Sequence, residues 1–203
     1  MDFDNIEPDT NPIYYDNRIV EIITTQPPIT SIDKLAQLRV IFLDVDGVLN
    51  TANQILAQSI NHACLKHFCE LVIRTDAYIV ISSSWRKYKT FMDILMSALR
   101  LFNCEYRVIG KTIQISPFDR PDEIMDWIYN FEDRYATKID SWIAVDDMRL
   151  EQMSLDMFDK CVLTDAKYGF VKGMIPYAEE LFNRQENVVD IYRPVEPNPP
   201  VPR

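Results

Sequence analysis

Acidic side chains and serines follow three short apolar runs of the sequence, each where a strand is expected to end. The first run is followed by Asp44 and Asp46, another by the serines at 82–84, and a third by Asp146 and Asp147. In open parallel sheets, ligands bind beyond the carboxyl ends of the strands, where the strand order switches. We therefore expect four carboxylates and a group of hydroxyls to converge on one rim.

Such a rim has the chemistry of a magnesium site. Four carboxylates within reach of one another repel, and a bound divalent cation relieves that repulsion. Magnesium suits all-oxygen sites with one or two carboxylates, and substrate phosphate completes its coordination shell. An Asp-x-Asp-Gly sequence alone is often just a turn after a strand. Two strands that both end in paired aspartates, with a serine-rich end between them, favour the metal site instead.

The elements that must position these side chains alternate along the middle of the chain. Short apolar runs predict buried strands, and the amphipathic stretches between them predict helices. The predicted strands are 39–43, 78–81, 106–109, 142–145 and 160–163, and the predicted helices are 56–74, 87–102, 121–133, 148–156 and 174–184. This alternation predicts a Rossmann-like α/β fold, a three-layer sandwich with a mostly parallel five-stranded sheet.

These motifs resemble those of the haloacid dehalogenase superfamily. There, a hydrophobic strand precedes Asp-x-Asp-Gly-Val/Thr, a second strand ends in Ser or Thr, a Lys or Arg follows, and an acidic pair comes after a later strand. All four motifs appear in this order between Arg39 and Leu163. The segments Asp-Val-Asp-Gly-Val-Leu-Asn, Ser-Ser-Ser-Trp-Arg and Trp-Ile-Ala-Val-Asp-Asp further resemble the small subfamily linked to nucleic-acid repair proteins.

The resemblance implies a role for each aspartate. Asp44 would be the nucleophile, and its carboxylate would also bind Mg2+. Asp46 would act as general acid and then as general base, and its backbone carbonyl would be a metal ligand. Asp146 would bind the metal directly, with Asp147 beside it or just outside the coordination shell.

The same resemblance implies groups that hold the transferred phosphoryl. Ser82 would donate a hydrogen bond to it, and Ser83 is an equally suitable candidate within the triple serine. Arg120 begins the run Arg-Pro-Asp-Glu-Ile, which resembles the Lys-Pro-x-x-Glu-like helix start of the family's third motif. Arginine in place of lysine is a departure, although its forked guanidinium suits a phosphoryl group. Lys111, after the third predicted strand, is the alternative, and we favour Arg120.

The second aspartate selects the reaction that the resemblance implies. Hydrolysis of a phosphomonoester needs a proton donor for the leaving group, which Asp46 supplies. Dehalogenases of the superfamily lack this residue, and its P-type ATPases carry Thr there.

The 35 residues from Gly47 to Ile81 and the 63 from Ser83 to Val145 leave no room for a cap domain. We therefore expect a capless, magnesium-dependent phosphatase that forms an aspartyl-phosphate and has an open site suited to macromolecular substrates.

Two substrate classes fit an open site. A phosphoprotein, including one with phosphotyrosine, is favoured by the net charge of −10 and by Trp85 and Tyr88 near the rim, although core packing is the favoured use of Trp85. A nucleic-acid end with a 3′-phosphate is supported by the subfamily resemblance, whereas Arg86, Lys87 and Lys89 form only a modest basic cluster. We favour the protein substrate. A third hypothesis is a catalytically weak domain that binds a partner, but the intact aspartates weigh against it.

Composition fits a soluble domain. The chain has 203 residues, of which 47% are hydrophobic and 26% charged, as in ordinary globular domains. It has no apolar run long enough for a membrane helix and no signal peptide at its start, so we expect a cytoplasmic protein.

One predicted helix carries two histidines and two cysteines, namely His62, Cys64, His67 and Cys69. Helical geometry places them on opposite faces, which argues against a zinc site.

Three segments are expected along the chain. Residues 1–37 contain four prolines and an acidic start, which predict a leader that packs on the core. Residues 38–190 form the predicted phosphatase domain. Residues 191–203 hold five of the twelve prolines, which predict an extended linker or tail. A chain that ends in such a segment is typical of one domain of a longer protein, so further domains beyond Arg203 are expected.

Overall fold

Five parallel strands form the centre of the fold. The computed structural model describes residues 37–55, 59–115 and 119–192. The strands in these residues are β1 Arg39–Leu43, β2 Tyr78–Ile81, β3 Val108–Lys111, β4 Ser141–Asp146 and β5 Cys161–Leu163. They lie in the order β3-β2-β1-β4-β5, and every neighbouring pair is parallel. The predicted α/β fold with a five-stranded parallel sheet is confirmed.

Helices connect the strands and begin at recognisable sequence signals. They are α1 Ala52–Ile55, α2 His62–Thr75, α3 Lys89–Arg100, α4 Arg120–Tyr135 and α5 Ile175–Tyr192. Before α2, the Asn61 side chain accepts hydrogen bonds from two backbone N–H groups of the first turn, which is an N-cap. In α4, Pro121 lies at the helix start, and Asp122 and Glu123 are acidic residues of the first turn, which suits the positive end of the helix dipole.

The helices cover both faces of the sheet, which gives three layers. On one face, Ile41 and Leu43 of β1 lie in a buried cluster with side chains of α2, α3 and α5. On the other face, Val40 and Phe42 lie in a second cluster with side chains of α4, and Trp127 packs edge-on against Phe42. Successive residues of β1 thus point to opposite sides and are buried on both, as expected for a central parallel strand.

The carboxyl rim of the sheet carries no cap domain along the described residues. Between β1 and β2 these residues form α1 and α2, and between β2 and β4 they form α3, β3, α4 and short 3₁₀ turns. The described residues of these connections therefore belong to the helices, strands and turns of the sandwich and form no separate cap domain. The prediction of a capless fold is confirmed.

One predicted helix is wrong, and several boundaries differ. Two 3₁₀ turns, Leu150–Gln152 and Leu155–Met157, replace the helix predicted for 148–156. Ser154 between them is extended, and its hydroxyl accepts a hydrogen bond from the backbone N–H two residues on, a contact that competes with a continuous helix. The helix predicted from residue 56 begins instead at residue 62. Strand β3 starts two residues later than predicted, because a 3₁₀ turn occupies Glu105–Arg107.

The predictions for the chain ends lie almost wholly outside the described residues. Of the predicted leader 1–37, the structure describes only the last residue, and of the predicted tail 191–203 it describes the first two. Helix α5 extends to Tyr192 and so includes those two residues. Among the helices of the described chain, none has the length and apolar character needed to cross a membrane.

A buried ion pair ties the carboxyl ends of β2 and β3 to the start of α4. Arg86 Nη2 donates to the Glu123 carboxylate at 2.6 Å, and the two side chains are 5% and 3% exposed. Arg86 also donates to the carbonyls of Ser82, Ser83 and Thr112. Burial lowers the pKa of Arg86 and raises the pKa of Glu123, in each case against the effect of the partner charge. The effect of desolvation on the two pKa values therefore outweighs the effect of the partner charge. Removal of either side chain would leave the other as a buried, unpaired charge, which lowers the stability of the fold.

Glu123→Ala should lower the free energy of unfolding by about 3 to 5 kcal/mol, because it leaves the buried Arg86 guanidinium without its counter-charge. Urea unfolding would measure the change. The exposed pair Lys89–Asp93, with a similar distance of 2.7 Å, gives a control: Asp93→Ala should cost less than about 1 kcal/mol. Similar losses in the two variants would contradict the structural role of the buried pair.

Candidate active site

Asp44 directly follows β1 and lies at the carboxyl rim of the sheet. Its backbone N–H donates to the Val145 carbonyl at 3.0 Å, which extends the pairing of β1 with β4 by one residue. The residue is 6% exposed. Its Oδ1 accepts a hydrogen bond from Arg120 Nη1 at 3.3 Å, and the Ser83 hydroxyl lies close enough to lower the pKa of the carboxyl. Backbone pairing and side-chain donors together fix the position of this carboxylate.

Burial and like charge raise the pKa of Asp44 to about 7. Burial has the largest effect, and the charges of Asp146 and Asp147 raise the pKa further, whereas Arg120 and the Ser83 hydrogen bond lower it. Near neutral pH this carboxyl therefore holds a proton more strongly than an exposed aspartate does. A cation that replaces the proton would relieve the same electrostatic cost.

Two more carboxylates stand next to Asp44. Asp44, Asp146 and Asp147 each offer one oxygen, and these oxygens lie within 4.8 Å of one another. Asp146 Oδ1 accepts from the Met148 N–H at 2.9 Å, while Oδ2 lies 2.6 Å from Arg120 Nη1. Burial raises the pKa of both Asp146 and Asp147. Within the described residues, this is the one group of His, Cys, Asp or Glu side chains with the spacing to hold a metal ion.

Gly47 allows the loop after β1 to approach the loop after β4. Its φ of 76° lies in the left-handed region, and a Cβ at this position would overlap the carboxylate of Asp147. Any side chain here would strain the backbone and displace that carboxylate. The resulting donor set is made of carboxylate oxygens, which suits a hard divalent cation such as Mg2+ better than a metal that prefers sulfur or nitrogen.

Asp46 is held apart from this cluster by two donors of its own. Asn50 Nδ2 donates to Oδ1 at 2.8 Å, and Trp85 Nε1 lies 3.1 Å from both carboxylate oxygens. Trp85 is 3% exposed, so its ring is part of the core, as favoured from the sequence, and is not free to flank a phosphotyrosine. The indole contact to Asp46 was not predicted. The contact of Asn50 with Asp46 was not predicted either, although Asn50 and Trp85 both belong to the motifs that carry the family resemblance.

The structure also distinguishes between the candidates for holding a phosphoryl group. Arg120 contacts both Asp44 and Asp146, and the charges of these carboxylates and of Glu123 raise its pKa against the opposing effect of burial. Lys111 is buried, and its ammonium donates to the Arg86 carbonyl at 3.3 Å, so the geometry favours Arg120 for this role.

Of the two serine candidates, Ser83 lies close to Asp44. Its hydroxyl accepts from the Trp85 N–H at 3.3 Å and lowers the pKa of the Asp44 carboxyl. Ser82 is also buried, and its backbone N–H donates to the Leu43 carbonyl at 2.9 Å. The backbone of Ser82 thus continues the sheet, while the side chain of Ser83 faces the carboxylate.

The histidines and cysteines on α2 lie on different sides of the helix. Cys64 and Cys69 are buried, whereas His62 is exposed and packs its ring against Phe102. All four cysteines of the chain are free thiols in the core. Among the described residues, the side chains with the spacing to bind a metal are therefore those of the aspartate rim.

Comparison with known proteins gives one match. The family described as the HAD domain in Swiss Army Knife RNA repair proteins matches residues 40–173, from the second residue of β1 to the turn before α5, and so covers well over half of the chain. No curated protein and no solved structure matches. The predicted resemblance to haloacid dehalogenase domains linked to nucleic-acid repair is confirmed, and such domains are in general phosphatase-type hydrolases. The chain belongs to the family of haloacid dehalogenase domains found in Swiss Army Knife RNA repair proteins.

Proposed function

We propose that this domain is a magnesium-dependent phosphomonoester hydrolase in which Asp44 attacks phosphorus and forms an aspartyl-phosphate. The observation that carries the proposal is the environment of Asp44: a buried carboxylate between the Ser83 hydroxyl and the Arg120 guanidinium, with Asp146 and Asp147 beside it. Covalent catalysis needs a nucleophile that is fixed in place and donors that accept charge from the reacting group. This rim offers both.

The metal would be held by the carboxylates of Asp44, Asp146 and Asp147, together with the backbone carbonyl of Asp46. Bound there, Mg2+ would supply positive charge to the oxygens of the phosphoryl group, where charge accumulates during transfer. The raised pKa values of the three carboxyls support this assignment, because crowded carboxyls that resist ionisation are stabilised by a cation.

The proposed reaction has two steps. In the first, a carboxylate oxygen of Asp44 bonds to phosphorus, the bond from phosphorus to the leaving oxygen breaks, and Asp46 gives its proton to that oxygen. In the second, Asp46 takes a proton from water as the water oxygen attacks phosphorus, and the Asp44 carboxylate is released. Ser83 and Arg120 would hold the phosphoryl oxygens in both steps. Inorganic phosphate and the dephosphorylated alcohol are the products.

The substrate that we propose is an RNA end that carries a phosphomonoester, with a 3′-phosphate as the first candidate. The matched family is described by its occurrence in RNA repair proteins, and an uncapped rim leaves room for a polymer end. The phosphoprotein favoured from the sequence loses one of its supports, because Trp85 is buried against Asp46 rather than exposed at the rim. The phosphoprotein and the purely partner-binding domain are outcomes that the following experiment would reveal.

With Mg2+ present, the protein should hydrolyse a 3′-phosphorylated RNA oligonucleotide with a higher kcat/KM than a phosphotyrosine peptide. Asp44→Asn should lower kcat/KM by at least about 10³-fold, because a carboxamide cannot attack phosphorus. Released phosphate is the measured quantity, and Asp93→Asn on the exposed face of α3 is the control with unchanged activity.

Each other outcome has a distinct meaning. Turnover that survives in Asp44→Asn would contradict the proposed nucleophile. Preference for the phosphopeptide would overturn the RNA substrate and leave the chemistry intact. A folded wild-type protein without activity on either substrate or on p-nitrophenyl phosphate would support the partner-binding domain.

Ser83→Ala should lower kcat/KM by about 10² to 10³-fold, as the loss of one preorganised donor to a transition state does in other enzymes. Ser84 is the matched control, because it is the next residue of the same triple serine but is exposed. Ser84→Ala should keep the wild-type rate. If Ser82→Ala loses activity and Ser83→Ala keeps it, the assignment of the phosphoryl-binding hydroxyl is wrong.

The pKa of Asp44, about 7 against an ordinary value of 3.8, predicts how pH and Mg2+ affect stability. Without Mg2+, the folded state binds this proton more tightly than the unfolded state, so the contribution of Asp44 to stability falls as pH rises from about 4 to about 7. Mg2+ competes with the proton, so the rise in Tm on adding Mg2+ should be larger at pH 8 than at pH 6. Thermal unfolding of wild type and Asp44→Asn would test this. An equal Mg2+ effect at both pH values would contradict it.

A further inference from the structure

Asp46 differs from the other three aspartates of the rim in the groups that surround it. Asp44, Asp146 and Asp147 form the cluster with metal-binding spacing, whereas Asp46 accepts hydrogen bonds from two neutral donors, the Asn50 amide and the Trp85 indole. Neither donor carries a charge or can give up its proton at ordinary pH. They can therefore orient Asp46 without competing for the proton that it transfers.

The orientation of Asn50 is fixed by a second hydrogen bond. Its side chain is fully buried, and its Oδ1 accepts from the Gly47 N–H at 2.9 Å. Because a backbone N–H can only donate, the amide oxygen must face Gly47, and the Nδ2 group must then face Asp46. Asn50 thus clamps the turn between Asp46 and itself.

Trp85 is fixed by packing. It lies in the 3₁₀ turn Ser84–Lys87 that directly follows Ser83, and its ring packs against Phe91 of α3 with the centroids 5.3 Å apart. An indole N–H is a donor only, and a buried donor requires an acceptor. The Asp46 carboxylate is that acceptor, which links the loop after β1 to the turn after β2.

The two carboxylate oxygens of Asp46 accept different numbers of hydrogen bonds from these donors. Among the described residues, Oδ1 accepts from both Asn50 and Trp85, whereas Oδ2 accepts from Trp85 alone. Oδ2 thus has fewer hydrogen bonds from these donors than Oδ1 and is the oxygen left available to a further partner, such as the leaving oxygen of a substrate.

We propose that Asn50 and Trp85 are positioning residues that reserve Oδ2 of Asp46 for the proton given to the leaving oxygen. This inference rests on the proposed phosphatase function and adds to it two residues and one atom. It has a consequence that a merely structural role lacks. Loss of either donor should lower kcat/KM most for a substrate whose leaving group needs a proton. A good leaving group departs as an anion, so its substrate should be less affected.

Two aryl phosphates of nearly equal shape separate these cases. The p-nitrophenolate group leaves readily without a proton, whereas the more basic phenolate of phenyl phosphate benefits from protonation. We expect Trp85→Phe, which removes the N–H, to lower kcat/KM for phenyl phosphate about tenfold more than for p-nitrophenyl phosphate, within the range of general acid catalysis. The ratio kcat/KM is the relevant quantity because it reports the first irreversible step, in which the leaving group departs.

Trp142→Phe is the matched control. Trp142 is also buried, and it packs on the face of the sheet with Phe42 and α4. Its substitution should change kcat/KM for the two substrates by the same factor. Asn50→Ala is the second test variant, since it removes the donor to Asp46 without placing a second carboxyl beside it; it should show the same leaving-group dependence as Trp85→Phe.

A spectroscopic measurement tests the contact without relying on turnover. The chain has three tryptophans, so three indole N–H signals are expected by NMR, and Trp85→Phe identifies one of them. Asp46→Ala should move the Trp85 signal strongly and leave the other two nearly unchanged. An unmoved Trp85 signal would show that the hydrogen bond is absent and would overturn the inference.

The kinetic outcomes separate the inference from the proposed function. Active wild-type protein whose Trp85→Phe and Asn50→Ala variants lose equal factors on both substrates, or lose nothing, would refute the positioning role alone. Wild-type protein inactive on both aryl phosphates and on the 3′-phosphorylated RNA would refute the proposed function, and the positioning role would be refuted with it.

Discussion

The crowding of carboxylates at one end of the sheet is the constraint on which the rest of the site depends. Asp44, Asp146 and Asp147 bring their oxygens within 4.8 Å of one another while the first two are almost fully buried. Burial and mutual repulsion oppose their ionisation, and Arg120, which contacts both Asp44 and Asp146, offsets part of that cost. A site that concentrates negative charge in this way is suited to a divalent cation and to a reaction that such a cation assists.

The scaffold keeps these groups together through main-chain pairing and one buried ion pair. Leu43 of β1 pairs with Val145 of β4 and with Ile81 of β2, so the three strands end at the same level and their following residues meet. Arg86 then joins the ends of β2 and β3 to α4 through Glu123. The helix that carries Arg120 is thereby fixed relative to the strand that precedes Ser83. The positions of Asp44, Ser83 and Arg120 are consequences of one connected arrangement.

Much of this arrangement could be predicted from the sequence, because it depends on local patterns. Strands β1 and β2 lie at the predicted residues, since short apolar runs bounded by polar residues are sufficient to define buried strands. The helix predicted for 148–156 failed because Ser154 offers the backbone a local hydrogen bond that a hydrophobic pattern does not reveal. The contacts of Asn50 and Trp85 with Asp46 could not be predicted, because they depend on how closely the loops after β1 and β2 approach each other. Arg120 was already favoured over Lys111 from the sequence, whereas the proximity of Ser83 to Asp44, which favours Ser83 over Ser82, needed the geometry.

The claim that Asp44 becomes covalently phosphorylated can be tested by chemical trapping. Protein that is turning over a phosphomonoester in the presence of Mg2+ would be quenched with acid, treated with borohydride and digested for peptide mass spectrometry. Borohydride reduces an aspartyl-phosphate to homoserine and leaves an ordinary aspartate unchanged. The account predicts homoserine at position 44 that appears only when substrate is present. Homoserine at another aspartate, or none during sustained turnover, would contradict it.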